Sequence, residues 1–325
     1  MARNSIFNID NVNNFNKIAL EIFQFQAKNC GVYKEFLDYL QIDAHSIKQL
    51  NEIPFLPIQF FKTHKIVSSQ QPIQEIFLSS GTTGNTTSKH HITDLSMYER
   101  SFIKGFENFY GSIEKYTVLA LLPSYLERDG SSLIYMVHNL IKNSKNKKSN
   151  FYLNNLNELQ EILVDLDENN KKTLLIGVSY ALLDLVELFK FDLKSTIIME
   201  TGGMKGRRKE LIREELHQRL KKGFGVSEIH SEYGMTELLS QAYSKGNGIF
   251  KCPPWMKVIT RDTEDALTLL PEGKSGGINV IDLANINSCS FIATQDLGKT
   301  YSNGTFEVLG RFDDSDIRGC NLMVL

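Results

Sequence analysis

The stretch FLSSGTTGNTTSKHH, residues 77–91, decides how this chain reads. The apolar run EIFL, residues 75–78, feeds a segment of Ser, Thr and Gly that leaves backbone N–H groups and hydroxyls unobstructed around one anion. That is phosphate chemistry. It is not a Walker loop, because Gly81 and Gly84 stand too close together and Lys89 follows no glycine. Taken alone, the stretch also fits a flexible Ser/Thr/Gly linker.

Its companion is SEYGMTE, residues 231–237, where an aromatic, a glycine, a hydroxyl and a carboxylate fall within one turn or loop. Tyr233 can stack on a nucleobase, Thr236 can hydrogen-bond a phosphate, and Glu237 can hold Mg²⁺ through oxygen.

Outward from these segments, the strand-like runs EIFLS, YTVLALL, FYL, TLLIGV and STIIME alternate with helix-like runs opening near Asp94, Ser131, Asn155, Tyr180 and Arg207. This alternation predicts an α/β fold, a parallel sheet with crossover helices. Upstream, Phe15, Ile18, Ala19, Ile22 and Phe23 recur at helical spacing, and Gly31 offers the stop. The run PFLPIQFFKTHKI, residues 54–66, carries two prolines among large apolar residues and favours an extended, partly buried connector over a helix. After about Tyr243 the short runs MKVIT, GINVID, SFIAT and TFEVL, parted by Gly, Asn and Asp, predict a β-rich subdomain. KNSKNKKSN, residues 142–150, reads as a solvated loop between a helix and a strand. The expected organisation is a helical N-terminal segment over 1–70, an α/β nucleotide-binding core over 71–245, a β-rich subdomain over 246–310 and a short tail over 311–325.

Composition sets limits. With 325 residues, 42% hydrophobic, 23% charged and a net charge of -2, the chain gives no electrostatic reason to expect nucleic acid or an anionic membrane. No stretch approaches the ~20 apolar residues of a membrane span, and the N-terminus lacks a signal-peptide core, so a cytoplasmic protein is expected. Cys30, Cys252, Cys289 and Cys320 form no CxxC pair, which suggests neither a disulfide framework nor a zinc site. Each reads first as a small buried hydrophobe. His90, His91 and His230 read as structural residues, with His230 retained as a neighbour of the SEYGMTE loop.

SSGTTG, then YGMTE, TQDLG (residues 294–298) and GRFDDSDIRG (residues 310–319), in that order, resemble the core motifs of the adenylate-forming superfamily, which includes acyl-CoA synthetases, phenylacetate-CoA ligase-like enzymes, luciferases and nonribosomal adenylation domains. Within it, LLPSYLERDGSSLIYMVHNLI (121–141), CPPWMKV (252–258) and the ending RGCNLMVL look like the LuxE-type acyl-protein synthetase branch. The resemblance implies the N-terminal body of an adenylate-forming enzyme, with parallel and mixed sheets, and ATP and Mg²⁺ as cofactors. It implies that Ser80, Gly81, Thr82, Thr83 and Gly84 embrace the ATP phosphates, and that Gly202 and Gly203 of METGGMKG line the adenine slot. Tyr233, followed by Gly234, would stack on the adenine, while Thr236 and Glu237 would serve phosphate and Mg²⁺. Asp296 would accept from the ribose hydroxyls, Arg311 would add a second ribose contact, and Cys320 would take the acyl group as a thioester. Without the resemblance, Asp296 and Gly298 fit a plain turn, Gly202 and Gly203 a strand exit, and Cys320 ordinary packing.

Superfamily members continue past the GRxDD motif into a lid domain that carries an adenylation lysine, whereas this sequence stops at Leu325. A body without that lid is therefore expected, with transition-state charge met by Lys89, Lys205, Arg128 or a partner. The activity implied is ATP-dependent conversion of a carboxylic acid, a fatty acid first among them, to acyl-AMP, followed by transfer to a thiol. The acceptor would be Cys320, CoA, a carrier protein or an acyl-accepting reductase. The alternatives are an acyl- or aryl-CoA ligase and a nucleotide-binding partner subunit that does not turn over.

Overall fold

The computed structural model describes residues 5–79, 87–123, 130–202 and 211–311. In chain order come helices α1 (Val12–Asn29) and α2 (Gly31–Tyr39), strand β1 (Leu56–Pro57), the short helix α3 (Phe60–Thr63), and strands β2 (Glu75–Leu78) and β3 (Lys89–Ile92). Next are α4 (Leu95–Tyr110), β4 (Thr117–Leu121), α5 (Ser132–Ser144), β5 (Asn150–Phe151), α6 (Leu156–Glu168), β6 (Thr173–Val178), α7 (Ser179–Leu188), β7 (Thr196–Thr201) and α8 (Arg213–Phe224). The chain then runs through β8 (His230–Tyr233), β9 (Ala242–Ser244), β10 (Ile249–Lys251), β11 (Met256–Arg261), β12 (Ser275–Asp282), β13 (Phe291–Thr300) and β14 (Thr305–Arg311).

Two compact units contain these elements. One comprises Tyr98–Thr236 and Gln241–Phe250. In it β5, β4, β6, β7 and β8 lie side by side in parallel, and β9 joins β8 in the antiparallel sense. Every residue of β4 and β6 is buried, as strands covered on both faces require, which is why TVLAL and TLLIGV show no polar alternation. Ser131 and Asn155 cap α5 and α6, accepting from the N–H groups of Ile134 and Glu158. From β4 the chain moves outward to β5 and then crosses back to β6, so the winding direction reverses between β4 and β6. Ligands of open α/β sheets bind outside the strand carboxyl ends, at such a reversal.

The other unit comprises Met1–Met97, Glu237–Ser240 and Lys251–Leu325. Strands β11 to β14 form an antiparallel meander, and β1 lies parallel to β13 with Leu56 opposite Ile292. Helix α1, capped by Asn11, buries Phe15, Ala19, Ile22 and Phe23. Phe23, Tyr33 and Phe55 gather around Phe291 with ring centroids 6.0, 6.4 and 6.2 Å away. The buried Gln26 amide is fully engaged, donating to the carbonyls of Asn285 and Ile286 and accepting from the N–H of Ser290.

Four local expectations change. Gly31 does not end a helical region; the break is at Cys30, whose backbone is extended, and α2 starts at once on Gly31. The 54–66 run is extended only through β1, after which FFKT turns into α3 and drives Phe61 fully inside. EIFL does not enter the parallel sheet: β2 pairs with β3 as a separate antiparallel hairpin, because only Phe77 of the strand is buried and its other positions face outward. The helix expected near Arg207 is seen from Arg213. Among the described residues no helix is long and apolar enough to cross a membrane.

Candidate active site

Strands β2 and β3 flank the Ser/Thr/Gly segment in sequence. Ser79 donates its N–H to the Ser88 carbonyl at 3.1 Å, and the Ser88 N–H donates to Ser79 Oγ at 2.9 Å, extending the pairing of β2 and β3 by one residue on each strand. Ser80, Gly81, Thr82, Thr83 and Gly84 themselves lie outside the described residues. Here the Ser88 hydroxyl hydrogen-bonds the carboxylate of Glu237, which is 5% exposed. Burial pushes the Glu237 carboxyl above its ordinary range, against the Ser88 hydroxyl, its own N–H, Arg311 and Lys62, which all favour the charged form. Lys89, the next residue along β3, is exposed.

The backbone behind Glu237 is tied down by two side chains. Asn285 donates from Nδ2 to the Glu237 carbonyl at 2.7 Å. Asp282, fully buried, accepts from the N–H groups of Leu239 and Ser240 at 2.8 and 2.9 Å, from the Ser240 hydroxyl at 2.5 Å and from the Ala284 N–H at 3.1 Å.

TQDLG is not a turn but the middle of β13. Asp296 faces Arg311 across β13 and β14, with Arg311 Nε 3.5 Å from Asp296 Oδ1. The register between the strands shifts at Leu297/Gly298, and a Cβ on Gly298 would stand 2.4 Å from the Glu307 carbonyl oxygen. Glycine is thus required by close backbone approach rather than by a turn. Arg261, also buried, holds the neighbouring strands by donating to the carbonyls of Ile278 and Thr294 at 2.7 and 2.6 Å.

The remaining sequence-predicted residues belong to the α/β unit. Tyr233 ends β8 with its ring packed edge-on to Phe250 at 5.9 Å and only 9% exposed. Thr236 is half-buried. Gly202 follows β7, accepts at its carbonyl from the Ser179 hydroxyl at 2.7 Å, and has a φ of +65°; Gly203 lies outside the described residues. Glu232 links the two segments. Its Oε2 accepts from the Thr201 hydroxyl at 2.5 Å, and its Oε1 lies 2.4 Å from where a Cβ on Gly234 would be. Burial, aided by the nearby Glu200 and opposed by the Thr201 hydroxyl, moves the Glu232 pKa up to about 7.

Glu200 sits in a buried polar group, with Arg213 Nη1 at 3.0 Å, His217 Nε2 at 3.6 Å and Ser179 Oγ at 3.3 Å. Burial raises its carboxyl, but His217, Arg213 and Ser231 outweigh it and leave the pKa lowered. Ser231 Oγ is 3.5 Å from the same His217 Nε2 that faces Glu200. Because carboxylate and hydroxyl share one ring nitrogen, this is an anchoring network and not a nucleophile–base–acid relay. His230 contacts the Tyr110 hydroxyl at 3.1 Å, and burial together with Lys245 holds its pKa near 4, so it is neutral at pH 7.

Cys30 and Cys289 are buried and Cys252 is partly so; burial pushes each thiol upward, away from the reactive thiolate. Cys320 lies outside the described residues. Sequence reasoning did not single out Ser88, Asp282, Asn285 or Glu232. Ser88 stood within the quoted loop stretch, and Asp282 showed as an acid closing the apolar run GINVID. Asn285 gave no local signal.

Solved structures show this fold. ATP-bound MatB from Rhodopseudomonas palustris superposes with a TM-score of 0.55 at 17% identity, over 75% of this chain and 49% of that one. An open conformation of 2-hydroxyisobutyryl-CoA ligase in complex with 2-HIB-AMP and CoA gives 0.64 at 12% identity, over 93% of this chain and 70% of that one. The architecture is structurally similar to the N-terminal body of adenylate-forming enzymes. A family profile described as acyl-protein synthetase, LuxE, matches residues 131–325, more than half of the sequence, and the chain belongs to that family. A long-chain-fatty-acid–luciferin-component ligase of Photorhabdus luminescens is 32% identical over 69 residues, which span 21% of this chain and 59% of that protein.

Proposed function

We propose that this chain activates a carboxylic acid with ATP and Mg²⁺ and passes the acyl group to a thiol. The observation that carries the reading is the Ser88–Glu237 contact, beside the two strands that the SSGTTG stretch connects in sequence and in the same unit as the Asp296–Arg311 pair. One carboxylate beside a phosphate-binding loop is the donor set Mg²⁺ favours, since that ion takes one or two carboxylates and completes its shell with phosphate oxygens and water. Glu237 would hold the metal, Ser80, Thr82 and Thr83 the phosphates, Asp296 and Arg311 the ribose, and Tyr233 with Gly202 the adenine.

In the first half-reaction a carboxylate oxygen attacks the α-phosphorus and the bond to the β-phosphate bridge breaks, giving acyl-AMP and pyrophosphate. Lys89, exposed on β3 next to Ser88, would be the described member of the three candidate cations to meet the charge that develops. In the second, a thiolate attacks the acyl carbonyl and AMP leaves. Cys320 is the favoured thiol, because the described cysteines are held protonated by burial. The fatty-acid substrate is favoured by the Photorhabdus luminescens relative, whose name carries that specificity.

Intact-mass analysis after incubation with ATP, Mg²⁺ and carboxylic acids of graded chain length tests this. An acyl adduct that hydroxylamine removes is expected with long-chain acids. Acyl-CoA formation with no protein adduct would replace the reading with that of a CoA ligase, and absence of acid-dependent pyrophosphate exchange would leave a nucleotide-binding subunit.

A further inference from the structure

We infer that Asp282 and Asn285 are positioning residues for the metal-binding carboxylate, holding the Glu237–Ser240 segment from both ends so that the Glu237 side chain meets Ser88. The inference rests on the reading of Glu237 as the Mg²⁺ ligand.

The segment leaves the YGMTE loop with no regular structure of its own, so its conformation must be imposed from outside. Asn285 fixes its start, at the Glu237 carbonyl, and Asp282 fixes its end, at the N–H groups of Leu239 and Ser240. A carboxylate gathering four donors is a rigid anchor, since bonds to an ionised acceptor are roughly twice as strong as neutral ones. The anchor is itself immobilised. Trp255 donates from Nε1 to Ser240 Oγ at 3.0 Å, Phe7 packs edge-on to the indole at 4.9 Å, and the Leu283 N–H donates to the Trp255 carbonyl at 3.0 Å. Asn285 and Asp282 share the turn after β12, so one short stretch of chain sets both ends of the segment.

Such an arrangement makes a specific demand. Mg²⁺ tolerates little departure from octahedral geometry, so a displaced carboxylate loses metal affinity before it loses fold. Partners behind a metal ligand change affinity by about 10- to 100-fold when removed.

The test uses Mn²⁺ as a spectroscopic stand-in, titrated into the ATP-saturated full chain with free Mn²⁺ read by electron paramagnetic resonance, beside thermal unfolding. Asn285→Ala and Ser240→Ala are expected to weaken Mn²⁺ binding about tenfold with little change in unfolding temperature. Asn285→Asp, which sets a carboxylate against the Glu237 carbonyl, should weaken it further. Asp282→Asn should do the same at greater cost to folding. Glu237→Gln is the reference. If it weakens Mn²⁺ binding while Asn285→Ala and Ser240→Ala bind as wild type, the positioning inference is overturned and the metal reading stands. If Glu237→Gln binds Mn²⁺ as wild type, both fall.

Discussion

Arg311 lies directly across β13 and β14 from Asp296, with Nε 3.5 Å from Oδ1, so two residues fifteen positions apart in sequence form one adjacent acid–base pair on the sheet. The Arg311 side chain is 72% exposed, and an ion pair in that setting contributes at most about 1 kcal/mol. Under the proposed reading its value would lie in what it presents to the ribose of ATP. Asp296→Asn and Arg311→Ala are expected to shift the unfolding temperature little yet raise KM for ATP. Wild type should lose efficiency with 2′-deoxy-ATP, and Asp296→Asn should be nearly indifferent to that change. Equal discrimination in both proteins would remove Asp296 from the ribose site.

Glu237 titrates above the ordinary carboxylate range because it is buried, so under the proposed reading protons would compete with the metal there. Apparent Mg²⁺ affinity should weaken as pH falls through that raised pKa, and Glu237→Gln should bind metal weakly with no such dependence. The linkage to folding has the opposite sense: the native carboxyl holds its proton more tightly than the unfolded one. Its stabilising contribution is complete below the unfolded pKa and is lost as pH rises through the folded one. Metal-free Glu237→Gln should therefore melt higher than wild type at neutral pH and alike at pH 3.

Glu232 makes the same argument with a value attached. A pKa of about 7 against an ordinary 4.5 costs the ionised native state at most about 3 kcal/mol above pH 8. Glu232→Gln keeps an oxygen for the Thr201 hydroxyl and removes that cost. The variant's advantage in unfolding temperature should grow between pH 5 and pH 8.5, tracked by circular dichroism. A constant difference across that window would mean that Glu232 ionises at its ordinary pKa.

Gly298→Ala places a methyl group 2.4 Å from the Glu307 carbonyl oxygen, a backbone atom that cannot yield without disturbing the β13–β14 register. Destabilisation of about 1–3 kcal/mol is expected by urea unfolding. Gly304→Ala, whose Cβ meets nothing within 4 Å but whose φ is +77°, isolates backbone strain from collision and should cost less.

Cys320→Ser should form acyl-AMP, measured as acid-dependent pyrophosphate exchange, and lose the hydroxylamine-sensitive acyl label. Cys30→Ser, Cys252→Ser and Cys289→Ser should keep the label wherever they fold. Labelling of the Cys320→Ser protein would assign the thioester elsewhere.

The parallel core was legible because TVLAL, TLLIGV and TIIMET are mostly apolar, without polar alternation, and are separated by helical runs, a pattern that burial on both faces imposes. EIFL looked similar by composition, yet its alternation of buried and exposed positions belonged to a hairpin. Glu237 was singled out because its chemistry stands in SEYGMTE, and Asp296 and Arg311 because TQDLG and GRFDDSDIRG resemble family motifs. Asn285 and Asp282 were not, since their partners are 48 and 43 residues away and no local pattern encodes a long-range hydrogen bond. Glu232 was passed over for a related reason: its perturbation comes first from burial, opposed by Thr201 and aided by Glu200 on the neighbouring strand, and none of these is written in the local string.

The discontinuity of one unit bears on how the chain is made. Tyr98–Thr236 and Gln241–Phe250 are nearly contiguous, so the parallel sheet can assemble from neighbouring segments soon after they leave the ribosome. Leu56 and Pro57 must instead wait for Ile292 and Ala293, and Ser68 for the carbonyl of Ser288. Contacts of such sequence separation form slowly because a long loop must close before any of them is rewarded. During synthesis the paired strands β2 and β3 can therefore exist before the strands carrying Asp296 and Arg311 have emerged, and this unit is completed only after the whole parallel sheet has been made.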